Sequence, residues 1–181
     1  MIIRRRRAAA CLAGALAAGL GGLAGCATPV ADAGGPWTSG RLNLRVDALA
    51  ERPAQSLTAG FELRGGGQRG QLRLLSPLGT QLASATWAPG SARLVSSQGA
   101  AEFASLDELS QHALGEALPL AALPDWLNGR AWPEAPAVTT AAGFDQLGWQ
   151  IGLQRWADGF VEARRMAAPA VVLRVQLDRG G

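Results

Sequence analysis

Few side chains in this 181-residue chain have the type and spacing to do chemistry. His112 is the single histidine, and Cys11 and Cys26 are the two cysteines. That supplies neither a His/Cys cluster at metal-ligand spacing nor a Ser-His-Asp triad with parts to choose from. The carboxylate pairs that could serve as general acid and base are Asp107 with Glu108 and Asp125 with Glu134. The first pair belongs to Ser105-Leu106-Asp107-Glu108, a capping box whose acids suit a helix start. The second is separated by a stretch holding Gly129 and Pro133, which fixes no geometry. The expectation is a protein with no catalytic residues, no metal and no cofactor, and not an enzyme.

The chemistry that remains is that of lipid. Arg4 to Arg7 make a positive start, 8–25 is apolar and rich in Ala, Leu and Gly, and the run ends Leu23-Ala24-Gly25-Cys26. This is the pattern of a secretory signal with small residues at the cut site. The ending resembles the bacterial lipobox, which implies cleavage before Cys26, diacylglycerol on its sulfur and acylation of the new amino group. A transmembrane helix is the competing reading. The segment is of borderline length for one, and Gly14, Gly19, Gly21, Gly22 and Gly25 weaken it. Two or three acyl chains hold a protein on a membrane where a single chain does so only marginally. Ala27, in place of an Asp, resembles the address of an outer-membrane lipoprotein.

Removing the signal changes the electrostatics. Four of the 17 arginines precede Cys26 and no acid does, so 13 arginines face 14 acids in the remainder, and there is no lysine. The high isoelectric point therefore belongs to targeting, and nucleic acid is not an expected partner. Residues 26–36 read as a lipidated tether and 37–181 as one domain with a sizeable core, expected to be monomeric.

Within that domain, period-two alternation predicts strands at 40–46 and 61–64, around Leu72 and Leu74, and at 81–88, 92–96, 149–153 and 171–178. Gly65-Gly66-Gly67 and Pro89-Gly90 mark turns. The middle differs: the capping box predicts a helix through Leu114, and 119–128 reads as a second helix interrupted by Pro124 and ended by Gly129. The plan is strands, two short helices, then strands, with antiparallel pairing.

Ser76-Pro77-Leu78-Gly79-Thr80 is the unusual segment. Pro77 and Gly79 suit a turn. Leu78 falls at its tip, where it either folds back onto the core or stands in water at a cost of about 1.5–3 kcal/mol relative to burial.

Four pieces of the chain resemble the LolB family of outer-membrane lipoprotein receptors. They are Gly40-Arg41-Leu42, the strand from Leu72 ending Ser-Pro-Leu-Gly-Thr80, Leu118-Pro119-Leu120 through Asp125-Trp126-Leu127-Asn128-Gly129, and the closing strand from Val171 to Asp178. The resemblance implies a mainly β (α+β) fold: an incomplete, curved antiparallel β-barrel with a short helical lid over an apolar cavity. It implies a cavity that takes acylated lipoprotein cargo from a soluble periplasmic carrier of the LolA type. It also implies a Pro-Leu-Gly turn, here Pro77, Leu78 and Gly79, that acts at outer-membrane lipid when cargo is inserted. Candidate cavity residues are Leu42, Leu44, Phe61, Leu63, Leu72, Leu74, Trp87, Leu120, Leu123 and Trp126. The alternative is a membrane-tethered structural or assembly lipoprotein that binds protein partners and has no acyl cavity. The two differ in whether such a cavity exists and whether Leu78 is exposed.

Overall fold

A computed structural model describes residues 34–178. The signal, Cys26 and most of the tether lie outside the described residues.

Alternation in the sequence becomes a single antiparallel sheet. Strands β1 (Thr38–Val46), β2 (Gln55–Gly65), β3 (Gly70–Leu75), β4 (Gln81–Ala88), β5 (Ser91–Ser96) and β6 (Gly99–Phe103) form one meander. Helices α1 (Leu106–Leu114) and α2 (Leu123–Leu127) follow, and then β7 (Ala137–Thr140), β8 (Gly143–Gln146), β9 (Trp149–Gly152), β10 (Phe160–Arg165) and β11 (Val171–Leu177) form a second meander. A 3₁₀ turn at Trp156–Asp158 precedes β10. The two meanders fuse where β1 pairs with β11, Leu42 opposite Val175, giving the order β6-β5-β4-β3-β2-β1-β11-β10-β9-β8-β7. The sheet is open between β6 and β7, and both helices lie in the connection between those edges. This is the incomplete antiparallel architecture expected, not a closed barrel.

The inner face carries the core. Leu42, Leu44 and Val46 of β1, Ala59, Phe61 and Leu63 of β2, and Ala85 and Trp87 of β4 join Leu109, Leu123, Trp126 and Leu127 from the helices. From the second meander come Phe144, Trp149, Ile151, Val161, Ala163, Val171 and Val175. Gly40 explains itself at the seam: a Cβ there would run into the Gln176 carbonyl and stand 3.0 Å from the Phe61 ring. A side chain would therefore wedge β1 away from β11.

Several expectations change. The segment 119–128 is not one helix. Residues 119–122 form turns closed by Ala122 N–H to Pro119 O at 3.0 Å, and the helix is only Leu123–Leu127. Pro124 lies in its first turn, where a missing N–H costs nothing, so it begins the helix rather than interrupting it. Leu120 is consequently off the helix. The capping box forms with one shift: Ser105 Oγ accepts from Glu108 N–H at 3.1 Å, while the Glu108 carboxylate reaches Ala104 N–H at 3.0 Å. Strands β6, β7, β8 and β10 were not expected, and β2 begins well before Phe61.

Candidate functional site

The β3–β4 connection is built from its sequence. Gly79 N–H bonds to Ser76 O at 2.9 Å, and Ser76 N–H to Thr80 O at 2.8 Å. Ser76 Oγ also accepts from Leu78 N–H at 3.3 Å and Thr80 N–H at 3.1 Å. Pro77 occupies the first central position and Gly79 takes φ +80, the left-handed conformation that follows a type I turn in such a loop. The backbone is thus satisfied locally, and the turn has no need to lean on the core. Leu78 is 94% exposed. Of the two readings open in the sequence, the structure selects the exposed one.

The lid is held over the inner face by polar contacts as well as apolar ones. Gln146 on β8, 2% exposed, accepts from Trp126 Nε1 at 2.8 Å and from Trp132 N–H at 2.9 Å. Its amide donates to the carbonyls of Trp132 and Ala135, both at 2.7 Å. Ser110 of α1, fully buried, accepts from Leu118 N–H at 2.9 Å and donates to Asp107 O at 3.1 Å. A third contact lies beyond α1. Glu116 accepts from Arg52 Nη2 at 2.6 Å and from Arg165 Nη2 at 2.8 Å, and Arg52 also donates to the Gly115 carbonyl. Burial pushes the Glu116 carboxyl up, but hydrogen bonds and positive charge from Arg165 and Arg52 outweigh it and hold the group below the usual carboxylate range. One carboxylate therefore ties the β1–β2 loop, the α1–α2 link and the end of β10 together.

Of the residues proposed from sequence, Leu42, Leu44, Phe61, Leu63, Leu72, Trp87, Leu123 and Trp126 all lie in the buried cluster. Leu74 and Leu120 are half-buried and pack against it. In this conformation the helices cover the concave face. Among the described residues, three gaps lie between the helical segment and the sheet: about 40 Å³ beside Leu44, Val46, Leu57 and Leu114, about 230 Å³ beside Trp87, Leu106 and Ala121, and about 230 Å³ beside Leu63, Pro124 and Leu127. A pocket of about 550 Å³ lies elsewhere, on the outer face where Gly60 lacks a side chain, bordered by Arg41, Glu62, Leu75 and Pro77. Among the proposed acids, Glu108 caps α1, Asp125 accepts from Arg130 at 3.1 Å, and Glu134 accepts from Gln68 at 2.7 Å. Gln146, Ser110 and the Glu116 cluster were missed. For Gln146 the signal was its phase, a polar residue two positions after Phe144 on the buried side of a strand.

Residues 38–179 match the family model described as outer membrane lipoprotein LolB. The chain belongs to the LolB family. An outer-membrane lipoprotein LolB of Bordetella petrii is 37% identical over 158 residues, spanning 80% of this chain and 79% of that protein. One of Ralstonia nicotianae is 34% identical over 77% of this chain and 68% of its own length. One of Cupriavidus necator is 39% identical over 55% of this chain and 54% of its own length. The LolB match covers the whole described sheet and both helices, and with them the Leu78 turn, the lid and the Glu116 cluster.

Proposed function

We propose that this chain is an outer-membrane lipoprotein receptor, anchored through Cys26 and facing the periplasm. It takes acylated lipoproteins from a LolA-like soluble carrier and inserts them into the inner leaflet of the outer membrane. In this reading 1–25 is the signal, 26–36 the lipidated tether and 37–181 the working domain. The observation that carries it is Leu78, almost wholly in water at the tip of a hairpin whose backbone is already satisfied, in a member of the LolB family.

The mechanism is binding without a covalent step. An acyl chain in water is unfavourable in proportion to its apolar area, so a receptor must offer a dry apolar surface. The inner face supplies one through Leu42, Leu44, Phe61, Leu63, Leu72 and Trp87. The gaps between the helical segment and the sheet are separate, about 40 Å³ beside Leu44 and about 230 Å³ beside each of Trp87 and Leu63, so the lid moves off that face to admit a whole chain. The contacts that move are those of Leu120, Leu123 and Trp126. Leu78 then lowers the barrier to release by entering the lipid surface. The structural or assembly alternative is not favoured, since it gives an exposed leucine at this turn no task.

The test is transfer of fluorescent acylated lipoprotein from loaded carrier to the lipidated chain in liposomes, with Leu78→Glu in parallel. The expected result is that both accept cargo and only the wild type delivers it. A wild type that takes no cargo from a competent carrier overturns the proposal.

A further inference from the structure

The charge map of the sheet is uneven. Between Arg73 and Glu102 the single ionisable side chain is Arg93, and it is paired with Glu102 at 3.3 Å. That stretch contains two hairpin tips at one end of the sheet. Ala83 pairs with Ser96 and Ser96 with Gly99, so the β5–β6 turn at Ser97 and Gln98 flanks the first residues of β4, directly behind the Leu78 turn.

On the outer face, Val95 alternates with the inward Ala92 and Leu94, and Leu82 is the extra residue of the bulge where Leu74 pairs with Ala83 and Leu75 with Gln81. Leu82 is 46% exposed and Val95 37%. Val95 lies opposite Ser84, two residues along β4 from the bulged Leu82. An exposed apolar strip therefore continues from Leu78 across β4 and β5.

We propose that this strip, together with the β5–β6 turn, is a lipid-contacting surface, so that two adjacent hairpins rather than the Leu78 turn alone rest on the bilayer. The inference rests on the receptor reading above and extends its membrane contact. Three observations select a bilayer as the occupant. Ionised groups are costly at lipid depth, and both tips have none, offering Ser, Thr and Gln instead; the nearest outer-face charges are Arg73, opposite Ser84, and Arg93, two residues from Val95. A single leucine projecting from a tight turn needs a soft, featureless acceptor, which a bilayer is. The chain also enters the domain on this outer side: Trp37 stacks between the guanidinium groups of Arg64, at 4.6 Å, and Arg73, at 4.4 Å. Both arginines sit on the outer face of β2 and β3. Gly34, Gly35 and Pro36 lie beside Gly65 and α2, at the end of β2 and β3 away from the Leu78 turn. The eight steps from Gly34 back to Cys26 can span about 26–29 Å, against about 25 Å along β3 from Gly70 to the tip. Anchor and strip can therefore occupy one leaflet.

The experiment uses the lipidated chain in phosphatidylethanolamine–phosphatidylglycerol liposomes. Cys11 leaves with the signal and Cys26 carries lipid, so one introduced cysteine is the sole free thiol. Environment-sensitive fluorophores are placed in turn at Leu78→Cys, Leu82→Cys, Gln98→Cys and Val138→Cys, and nitroxide lipids act as quenchers. Val138, 68% exposed on the distant edge strand β7, is the apolar control. The expected result is a blue shift and quenching at 78, 82 and 98 and neither at 138. Quenching at 78 alone overturns the strip while sparing the receptor reading. No quenching at 78 removes the membrane contact on which both depend. Quenching at all four positions overturns the strip as a defined surface. As a second readout, Leu82→Glu in the transfer assay should accept cargo normally and deliver it about threefold to tenfold more slowly. Unchanged delivery counts against the proposal.

Discussion

Trp126 of the lid donates its indole N–H to Gln146 of β8 at 2.8 Å, with Gln146 almost completely buried. The same glutamine serves Trp132 twice and Ala135 once, so one side chain satisfies four polar groups, one buried and three part-buried, in the lid and its link to β7. The Trp126 ring also meets Trp149 of β9 at a centroid distance of 6.0 Å. The lid is thereby fastened to the second meander, and apolar packing alone would leave its position undefined.

Replacing Gln146 with Leu keeps the approximate volume and strands those partners. Each buried unsatisfied group costs about 1–3 kcal/mol, softened where water enters. A net loss of about 3 kcal/mol is expected in urea unfolding. A loss under about 0.5 kcal/mol would show that the lid does not depend on this residue.

Leu78→Glu is expected to leave stability within about 0.5 kcal/mol of wild type, because the side chain has almost no protein neighbours to lose. Urea midpoints of the two proteins should coincide while their delivery of cargo differs. A large drop in midpoint would mean that Leu78 packs somewhere in the folded state and that its transfer defect is structural.

Gly70→Ala attacks the inner face from the backbone. A Cβ at Gly70 would run into Cζ2 of Trp87 and lie 2.6 Å from its Cε2 and 2.8 Å from its Cη2. Trp87 is pinned by its Nε1–H to Gly66 O at 3.0 Å, so it has little room to retreat. Overpacking of this kind costs about 1–3 kcal/mol. Thermal melting should register it, and an unchanged melting temperature would mean that Trp87 is free to swing away.

Glu116 sets a pH dependence. Its carboxyl titrates below the ordinary value of 4.5 because Arg165 and Arg52 hold it ionised against the effect of burial. A depressed folded-state value means that the ionised group stabilises the fold above the unfolded value, and that this contribution disappears as pH falls through the folded one. Glu116→Gln should therefore be less stable than wild type at pH 7, with the difference shrinking from about pH 4.5 downward. A difference that stays constant between pH 7 and pH 3 would sink this account.

Much of this protein can be read from local sequence, because the relevant physics is local. Alternation of Leu42, Leu44 and Val46 with Arg41, Asn43 and Arg45 sets a strand and its buried face without reference to anything distant. Ser105 and Glu108 start a helix through bonds within four residues, and Pro77 and Gly79 shape a turn by their own backbone limits. The motifs around Ser76 to Thr80 and Asp125 to Gly129 were enough to point to the family. Strand β6, poor in branched residues, left no such signal, and β7, Ala-Val-Thr-Thr, is too short and too exposed for alternation to show. Tertiary structure decided what depends on neighbours far along the chain. Leu78 stands in water because Ser76 and Gly79 complete the turn and no other element reaches it. Leu82 and Val95 come near one another because β4 and β5 pair with Ser84 opposite Val95, and Leu82 stands at the bulge that opens β4. Gln146 and Glu116 act as fastenings because folding brings Trp126, Arg52 and Arg165 to them from 20, 64 and 49 residues away. Alternation within a strand cannot encode such contacts, because they arise only when separate elements meet.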